Sequence, residues 1–386
     1  MKPRIYLDNS ATTRVDDQVW DAMAPYFRER FGNASSIHSY GQEARAAVEE
    51  ARQAVAELVG ADTRDIVFTS GGTEADNHAL WGVWRSGYRP GDHIITSKIE
   101  HPAVLATCKA LEAAGAGVTY LPAESSGRVD PARVADAITE RTILISIMHA
   151  NNETGVIQPL EEICALAGER GILVHTDAVQ SVGKIPVNVG QLGVDLLSLT
   201  GHKMHAPKGA GALYVRAGVK LVPLMTGGSQ ERRRRAGSEN VPGIVGLGAA
   251  ARLALQRLPE MGGRVALLRD RLEQGIKGRV PDVRTNGTAE HRLPNIANLA
   301  FAGLEGEAAV IGLDLEGIAA SSGSACSSGS LEPSHVLTGM GLRAEAVQGS
   351  LRFSLCYHNT EAEIDQALEV IAAVAGRLRG LARRAT

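Results

Sequence analysis

Strand-like segments alternate with helical segments through the middle of this chain. The strand-like segments are short and rich in Val, Ile and Leu, and they cover residues 93–97, 117–121, 142–148, 172–175, 195–199 and 212–215. Strands that alternate with helices form a mainly parallel sheet with helices on both of its faces. We therefore predict an α/β fold, in which ligands bind at the carboxyl ends of the strands.

Polar side chains follow several of these segments at the points where the strands end. They are His101, Asn151, Asn152, Asp177, Gln180 and Lys203. Because the carboxyl ends of parallel strands meet at one edge of a sheet, we expect these side chains to form a single site.

Lys203 is the residue in this set with the most distinctive surroundings. It follows the apolar run 194–199 and Gly201, and it lies between His202 and His205. A lysine at the end of a buried strand is partly desolvated, which lowers its pKa and makes its amine a candidate imine-forming nucleophile. The alternative is an ordinary surface lysine after a strand, which is the commoner location for this residue type.

An imine-forming lysine suits pyridoxal 5'-phosphate (PLP), and the chain offers the other groups that this cofactor needs. Asp177 can hold the ring nitrogen protonated, although an aspartate at this position can also be a helix N-cap. Gln180 can bind the phenolic oxygen of the ring, and His101 can stack on its face. The candidate phosphate ligands are Gly72, Thr73, Thr200 and His202.

The glycines of this phosphate cradle, Gly71 and Gly72, follow a strand-like segment, 65–70, and open the helical segment at 71–77. Such a turn directs free backbone N–H groups and the positive end of a helix dipole at an anion. The alternative is a tight connection with no ligand. The turn matches neither the dinucleotide-binding nor the Walker fingerprint.

Two further residues indicate chemistry on a small substrate. Cys326 lies in a run of serine, glycine and alanine that cannot bury its thiol, so it is a candidate for a nucleophile on a mobile arm. The alternative is an accidental cysteine in a polar loop. Arg352 lies on the strand-like segment 350–355 and can bind a substrate carboxylate with two hydrogen bonds, or can form a structural salt bridge.

Composition excludes several other classes of protein. With 386 residues the chain is long enough for two domains, and its net charge of −3 gives no attraction to nucleic acid or to an anionic membrane. The four cysteines form no C-x-x-C pair, and no apolar run is long enough to span a membrane. We expect a cytoplasmic protein. The arginine run 232–235 is either a solvated loop or a loop that meets phosphate or a partner subunit.

The motifs as a set resemble those of the cysteine desulfurases, in the class V, fold-type I group of PLP enzymes, and are most similar to the nitrogen-fixation type. The matching motifs are YLDN at 6–9, FTSGGTE at 68–74, EHPAVL at 100–105, ANNETG at 150–155, HTDAVQ at 175–180, GHKMHAPKG at 201–209, SSGSAC at 321–326 and LEPSH at 331–335. The cysteine motif looks like that of the group with a long, mobile cysteine loop.

This resemblance implies a fold and a domain division. The expected fold is the PLP-dependent transferase fold type I, with a mainly parallel seven-stranded sheet in a large domain at 14–260. A smaller α/β domain, formed by 1–13 and 261–386, would carry the Cys326 loop.

The resemblance also implies roles for individual residues. Lys203 is similar to the imine lysine, Asp177 and Gln180 to the ring-binding pair, and His101 to the stacking residue that also handles protons. Gly72, Thr73, Asn152, Thr200 and His202 fall among the cofactor-binding positions. Ser238 is similar to a phosphate ligand that reaches the site of the other subunit in a homodimer. Asn33, Asn152 and Arg352 match the groups that hold the cysteine carboxylate. The family's proline after Asn33 is replaced by Ala34, which loosens that loop.

The implied reaction converts L-cysteine to L-alanine and leaves the sulfur on Cys326 as a persulfide. An iron–sulfur scaffold or another sulfur-acceptor protein would then receive this sulfur. No resident metal is expected, although Cys326 could transiently ligate an iron–sulfur cluster.

Three alternatives remain open at this point. A class V aminotransferase or a selenocysteine lyase would share the fold, and Cys326 argues against the aminotransferase because that chemistry needs no mobile thiol. A zinc or iron hydrolase could use His175, Asp177, His202 and His205. A non-catalytic sulfur carrier would have no need to combine Lys203, Asp177 and Cys326.

Overall fold

We describe the protein from a computed structural model, which covers residues 4–87, 89, 91–322 and 333–385, with side chains up to residue 381. The helices are α1 Asp17–Met23, α2 Ser39–Val59, α3 Gly72–Arg85, α4 Pro102–Ala113, α5 Pro131–Ala137, α6 Leu160–Gly168, α7 Val189–Leu192, α8 Gln230–Arg233, α9 Val241–Glu260, α10 Ala266–Arg279, α11 Gly306–Leu315, α12 His335–Gly339, α13 Ala344–Gln348 and α14 Glu361–Ala385. The strands are β1 Ile5–Tyr6, β2 Ile66–Thr69, β3 His93–Ser97, β4 Gly117–Leu121, β5 Thr142–Ser146, β6 Leu173–Asp177, β7 Leu196–Thr200, β8 Gly211–Val215, β9 Val283–Thr285, β10 Ile296–Phe301, β11 Ile318–Ala319, β12 Ser321–Ser322 and β13 Ser350–Ser354.

The largest sheet has seven strands in the order β2-β8-β7-β6-β5-β3-β4. Its strands pair in parallel from β7 to β4, and β8 is antiparallel to both of its neighbours. The predicted α/β fold with a mainly parallel seven-stranded sheet is therefore confirmed. All six predicted strand segments of this sheet are present, within three residues at their ends.

Helices cover both faces of this sheet. One core joins α2, α6 and α9 to the sheet, and another joins α3 and α4 to the opposite face. Strand β7 is buried along its whole length because helices pack on both of its sides, which explains its nearly continuous apolar sequence. Gly248 of α9 permits the close approach of α2, since a Cβ there would lie 2.5 Å from the Cα of Ala51.

A separate hydrophobic core is formed mainly by residues beyond 260, and it includes Ile5 and Leu7 from the start of the chain. It is built on an antiparallel sheet of four strands, β12-β13-β10-β9, and on the parallel pair of β1 with β11. The division into 14–260 and 1–13 with 261–386 stays a prediction.

The helical backbone continues through residue 260, where the predicted large domain ends. Pro259 lies inside α9, and a π-helical turn, Met261–Val265, joins α9 directly to α10. Proline removes one helical hydrogen bond, and a π turn is a common way for a helix to continue past such an irregularity. Among the described residues, none of the helices combines the length and apolar character needed to cross a membrane.

Candidate active site

Lys203 lies at the end of a short 3-10 turn, Gly201–Lys203, which follows β7 directly. Its side chain is half-buried, and its Nζ donates hydrogen bonds to the backbone oxygens of Ser10 at 2.5 Å and Ala11 at 2.7 Å. The loop that carries these oxygens follows β1, so it brings the start of the chain across the carboxyl edge of the large sheet. The lysine that the sequence singled out therefore lies at the edge where a ligand site was predicted.

Asp177 is the last residue of β6, the neighbour of β7. Its Oδ1 accepts a hydrogen bond from the backbone N–H of Val179 at 2.9 Å, so the capping alternative is also realised. Burial raises the pKa of the Asp177 carboxyl, and nearby His101, the Val179 N–H group and Lys203 oppose this shift.

Asp76 of α3 is a second buried carboxyl in the same cavity, and the sequence reading missed it. One carboxyl oxygen of Asp76, one of Asp177 and a ring nitrogen of His101 lie within 4.8 Å of one another. Burial and the negative charge of Asp177 raise the pKa of Asp76 well above its usual range. Two carboxyls this close do not both ionise readily, so Asp76 is the member that retains a proton.

His101 caps the start of α4, where its Nδ1 accepts from the backbone N–H of Ala103 at 3.2 Å. Burial lowers the pKa of its imidazole, so the ring is neutral near pH 7. His101 and Asp177 both line the cavity, which places the predicted stacking group beside the predicted ring-nitrogen acid.

The proposed phosphate cradle is the amino end of α3. Gly71 precedes the helix without a side-chain cap, so the first N–H groups of this 14-residue helix remain available to an anion. Gly72 has no room for a side chain, since a Cβ there would lie 2.7 Å from Cγ2 of Val179. Thr73, Thr200 and His202 line the same cavity.

Arg352 of β13 brings the small sheet into contact with the cavity. Its guanidinium donates to Oδ1 of Asp8 at 2.7 Å and to the backbone oxygen of Asn152 at 2.8 Å, and its side chain is buried. Both Arg352 and Asn152 line the cavity. The salt bridge that was considered as the alternative role is present, and the arginine still reaches the space where a substrate would lie.

Two predicted residues are not brought into this cavity. Asn33 is exposed, and its Oδ1 accepts from the backbone N–H of Ser35 at 2.9 Å. Ser238 is also exposed and lies outside the cavity lining, so its predicted contact with another subunit stays a prediction. Cys326 lies outside the described residues.

The structure gives the arginine run near Ser238 a set of partners. Arg235 forms two hydrogen bonds with the carboxylate of Glu74, at 2.8 and 3.2 Å, and Arg232 and Arg234 donate to the backbone oxygen of Arg64. The run is therefore more than a solvated loop, because three of its arginines form hydrogen bonds with residues on either side of β2.

The hydrolase alternative is weakened by the partners of its histidines. Both ring nitrogens of His175 are hydrogen-bonded, to Oγ of Ser146 at 2.8 Å and Oγ of Ser198 at 3.0 Å. Nδ1 of His205 bonds to the backbone oxygen of Arg14. Metal ligation by His175 would have to break one of its two hydrogen bonds, which makes this histidine a poor ligand.

The cavity has a volume of about 340 Å³, and its lining suits PLP. The cofactor presents a ring nitrogen, a phenolic oxygen, an aldehyde and a phosphate. Asp177, Gln180, Lys203 and the amino end of α3 are matching groups within one cavity. In the described part of the chain, Oδ1 of Asp76 and Oδ1 of Asn152 are buried without a hydrogen-bond partner, which indicates a site shaped around a polar ligand.

The fold and this cavity define the class of protein, a PLP-dependent enzyme of fold type I. The sequence pattern of the family described as Aminotransferase class-V matches residues 5–367. A cysteine desulfurase from Nostoc sp. is 52% identical over 377 residues, which cover 98% of this chain and 94% of that relative.

Solved structures agree with these sequence matches. A NifS-like protein superposes with a TM-score of 0.92 at 40% identity, covering 97% of this chain and all of that one (100%). A structure described as SspA in complex with cysteine has a TM-score of 0.82 at 37% identity, covering 92% of this chain and 99% of that one. The chain belongs to the cysteine desulfurases of the class-V aminotransferase family.

Proposed function

We propose that this protein converts L-cysteine to L-alanine and transfers the substrate sulfur to Cys326 as a persulfide. The observation that carries this proposal is the meeting of Lys203, Asp177 and Arg352 in one cavity of a chain that belongs to the cysteine desulfurases. The bound cysteine in the SspA structure supports the choice of substrate.

When bound, PLP supplies an aldehyde for imine formation and a ring that takes up negative charge from the substrate. Lys203 would hold the aldehyde carbon, and its amine would move the substrate Cα proton. Asp177 holds the proton on the ring nitrogen, and Gln180 binds the phenolic oxygen. Gly72, Thr73, Thr200 and His202 bind the phosphate, and His101 stacks on the ring.

Arg352 orients the substrate, and Asn152 of the cavity wall is a further ligand of the carboxylate. Asn33 lies outside this lining, so its role as a ligand stays a prediction. A bidentate arginine fixes both the position and the plane of a carboxylate, which aligns the Cα–H bond for proton removal. The pairing of Arg352 with Asp8 holds the guanidinium ready at the cavity wall.

The sulfur step needs a thiolate from the protein. The Cys326 thiolate attacks the sulfur of the substrate, a new S–S bond forms, and the substrate Cβ–S bond breaks with its electron pair left on carbon. Protonation of that carbon yields the methyl group of alanine. Cys108, Cys164 and Cys356 do not suit this role, because burial raises the pKa of their thiols to about 12, 12 and 11.

We further propose a homodimer in which Ser238 of each chain completes the phosphate site of the other. Its exposure on its own subunit and its tethered arginine neighbours support this arrangement. The persulfide sulfur is passed to an iron–sulfur scaffold or to another acceptor protein, with nitrogen fixation as a narrower form of that role. The free thiols at Cys108, Cys164 and Cys356 support a reducing, cytoplasmic location.

The experiment is to measure alanine and sulfide released when the purified, PLP-loaded protein meets L-cysteine and a thiol reductant. We expect equal amounts of both, and we expect Cys326→Ser to retain PLP and its spectral response to cysteine while alanine release stops. Normal alanine production by that variant would show that another group is the sulfur acceptor. A yellow wild-type protein that releases no alanine would instead point to the class V aminotransferase or selenocysteine lyase alternative.

A further inference from the structure

Lys184 is a second lysine close to the cofactor site, and the proposed reaction does not use it. Its side chain is buried, with 5% of the residue exposed. Within the described ranges, both recorded hydrogen bonds of its Nζ go to Gln180, to the backbone oxygen at 3.0 Å and to Oε1 at 2.9 Å. After burial, the titratable groups that most affect the pKa of its amine are Lys203, Arg352 and Cys356.

A lysine in this position is costly for stability alone. Burial, with the positive charges of Lys203 and Arg352, lowers the pKa of its amine to about 7. Transfer of a charged ammonium from water to a protein interior is unfavourable unless a counter-ion compensates it, and an apolar residue of similar length would avoid that cost. The residue type therefore calls for a reason beyond packing.

The reason lies in the orientation of the Gln180 amide. Below about pH 7 the Lys184 group is an ammonium, which donates hydrogen bonds and accepts none, so the atom of Gln180 that faces it has to be the amide oxygen. The amide nitrogen is then directed the other way, and Nε2 donates to the backbone oxygen of Ser10 at 3.0 Å. That same oxygen accepts the hydrogen bond from Lys203.

We propose that Lys184 is a positioning residue that fixes the side-chain amide of Gln180 with its N–H groups toward the cofactor cavity. A flipped amide would present its oxygen to the phenolic oxygen of PLP, and two acceptors would face each other. This inference rests on the proposed PLP site, where Gln180 is the ligand of the phenolic oxygen. It explains why a donor-only side chain lies four residues after the glutamine, within the tight turn 178–185.

The local backbone makes this arrangement possible. The N–H groups of Ser181 and Val182 both bond to the backbone oxygen of Ala178, and that of Lys184 bonds to the oxygen of Ser181. These bonds coil the chain after β6 into a compact turn. The turn places the side chain of Lys184 next to Gln180, in the same way that residues four apart are neighbours on the surface of a helix.

The test is a double-mutant cycle on PLP binding by cofactor-depleted protein, with Lys184→Met, Gln180→Ala and the combination. The readouts are the PLP dissociation constant and the wavelength of the visible band of the bound cofactor. We expect each single change to weaken binding about tenfold and to shift the band. The combined variant should match Gln180→Ala within about twofold, since Lys184 acts through the glutamine.

Lys208→Met is the matched control, because Lys208 is exposed and has no recorded bond to Gln180. It should leave both readouts unchanged. If Lys184→Met does not fold, Lys184→Arg retains a side chain that donates and accepts no hydrogen bond, and it should bind PLP within about threefold of wild type.

Wild-type binding and band position for Lys184→Met, or additive losses in the combined variant, would overturn the proposal. A tenfold loss for a folded Lys184→Arg would do the same. Failure of the wild-type protein to bind PLP would instead contradict the proposed function.

Discussion

A carboxyl oxygen of Asp76 lies within 4.8 Å of a carboxyl oxygen of Asp177, and both side chains are buried. Asp76 also lies close to His175, with 3.6 Å between its Oδ1 and the Nε2 of the imidazole. Burial lowers the pKa of His175 to about 3, so that ring is neutral and offers no countercharge. The pair therefore holds one negative charge, on Asp177, which is the arrangement that a protonated ring nitrogen needs.

The first prediction concerns the proton on Asp76. Because its pKa is raised in the folded state, the folded protein holds a proton that the unfolded chain releases above about pH 4. Stability therefore falls as pH rises from that point, and Asp76→Asn removes this loss. Cofactor-free Asp76→Asn should be more stable than wild type at pH 8, by on the order of 1 kcal/mol, with the gain vanishing near pH 4. Thermal unfolding across this pH range measures it.

Asp195→Asn serves as the contrasting variant. The Asp195 carboxylate accepts from Nε of Arg216 at 2.6 Å and from the backbone N–H of Val174 at 2.7 Å. Its replacement removes a charged partner and should lower stability at pH 8. A loss of stability for Asp76→Asn at that pH would mean that Asp76 is ionised in the folded protein.

The sequence predicted the large sheet and the residues at its strand ends because those signals are local. Asp177 and Lys203 come within four residues of apolar runs, so their positions at strand ends were readable from the pattern. Asp76 was missed although it lies three residues after Thr73 on the same helix, a spacing that faces both toward one side. The Ser10 and Ala11 oxygens carry no side-chain signal, and their contact with Lys203 joins segments more than 190 residues apart.

Lys203→Ala is expected to abolish turnover. In the proposed mechanism the imine to the cofactor and the transfer of the substrate proton both depend on this amine, so alanine release should fall by at least about 100-fold, the lower range for loss of a general acid–base group. Lys208→Ala removes an exposed lysine from the same loop and should retain wild-type rates. Alanine measured by chromatography under saturating cysteine checks both, and normal turnover by Lys203→Ala would mean that another group forms the imine.

Arg352→Lys is expected to weaken cysteine binding. Lysine keeps the charge but loses the fork that can hold a carboxylate with two hydrogen bonds, and hydrogen bonds to charged groups contribute about 1.5–3 kcal/mol. KM for L-cysteine should rise about 10- to 100-fold, with a smaller effect on kcat. Arg271→Lys, in an exposed pair with Asp365, provides the control. An unchanged KM would mean that Arg352 does not bind the substrate carboxylate and serves only in the salt bridge with Asp8.

The buried pair of Arg52 and Glu231 should dominate the stability of the segment that leads to Ser238. Two hydrogen bonds of 2.7 Å join the guanidinium to the carboxylate, which also accepts from the backbone N–H of Phe68. Arg52→Met leaves a buried carboxylate uncompensated and should cost about 3–5 kcal/mol in urea unfolding. Arg64→Met breaks a solvent-exposed pair with Asp62 and should lower stability far less. Equal effects of the two changes would contradict the buried-pair argument.

The last prediction tests whether sites are shared between subunits. Ser238→Glu places a negative charge where the phosphate is expected, so this variant alone should lose PLP, and Lys203→Ala alone should be inactive. In a mixed dimer, one site carries both defects, while the other combines Lys203 of one chain with Ser238 of its partner and is intact.

Co-expression of the two variants with different affinity tags, followed by purification through both tags, isolates the mixed dimer. Its alanine release per dimer should be about half that of wild type. If Ser238 served the site of its own chain, each site of the mixed dimer would carry one defect and the mixture would be inactive. Recovery of activity therefore distinguishes a shared site from two independent ones, because no arrangement within a single chain can restore it.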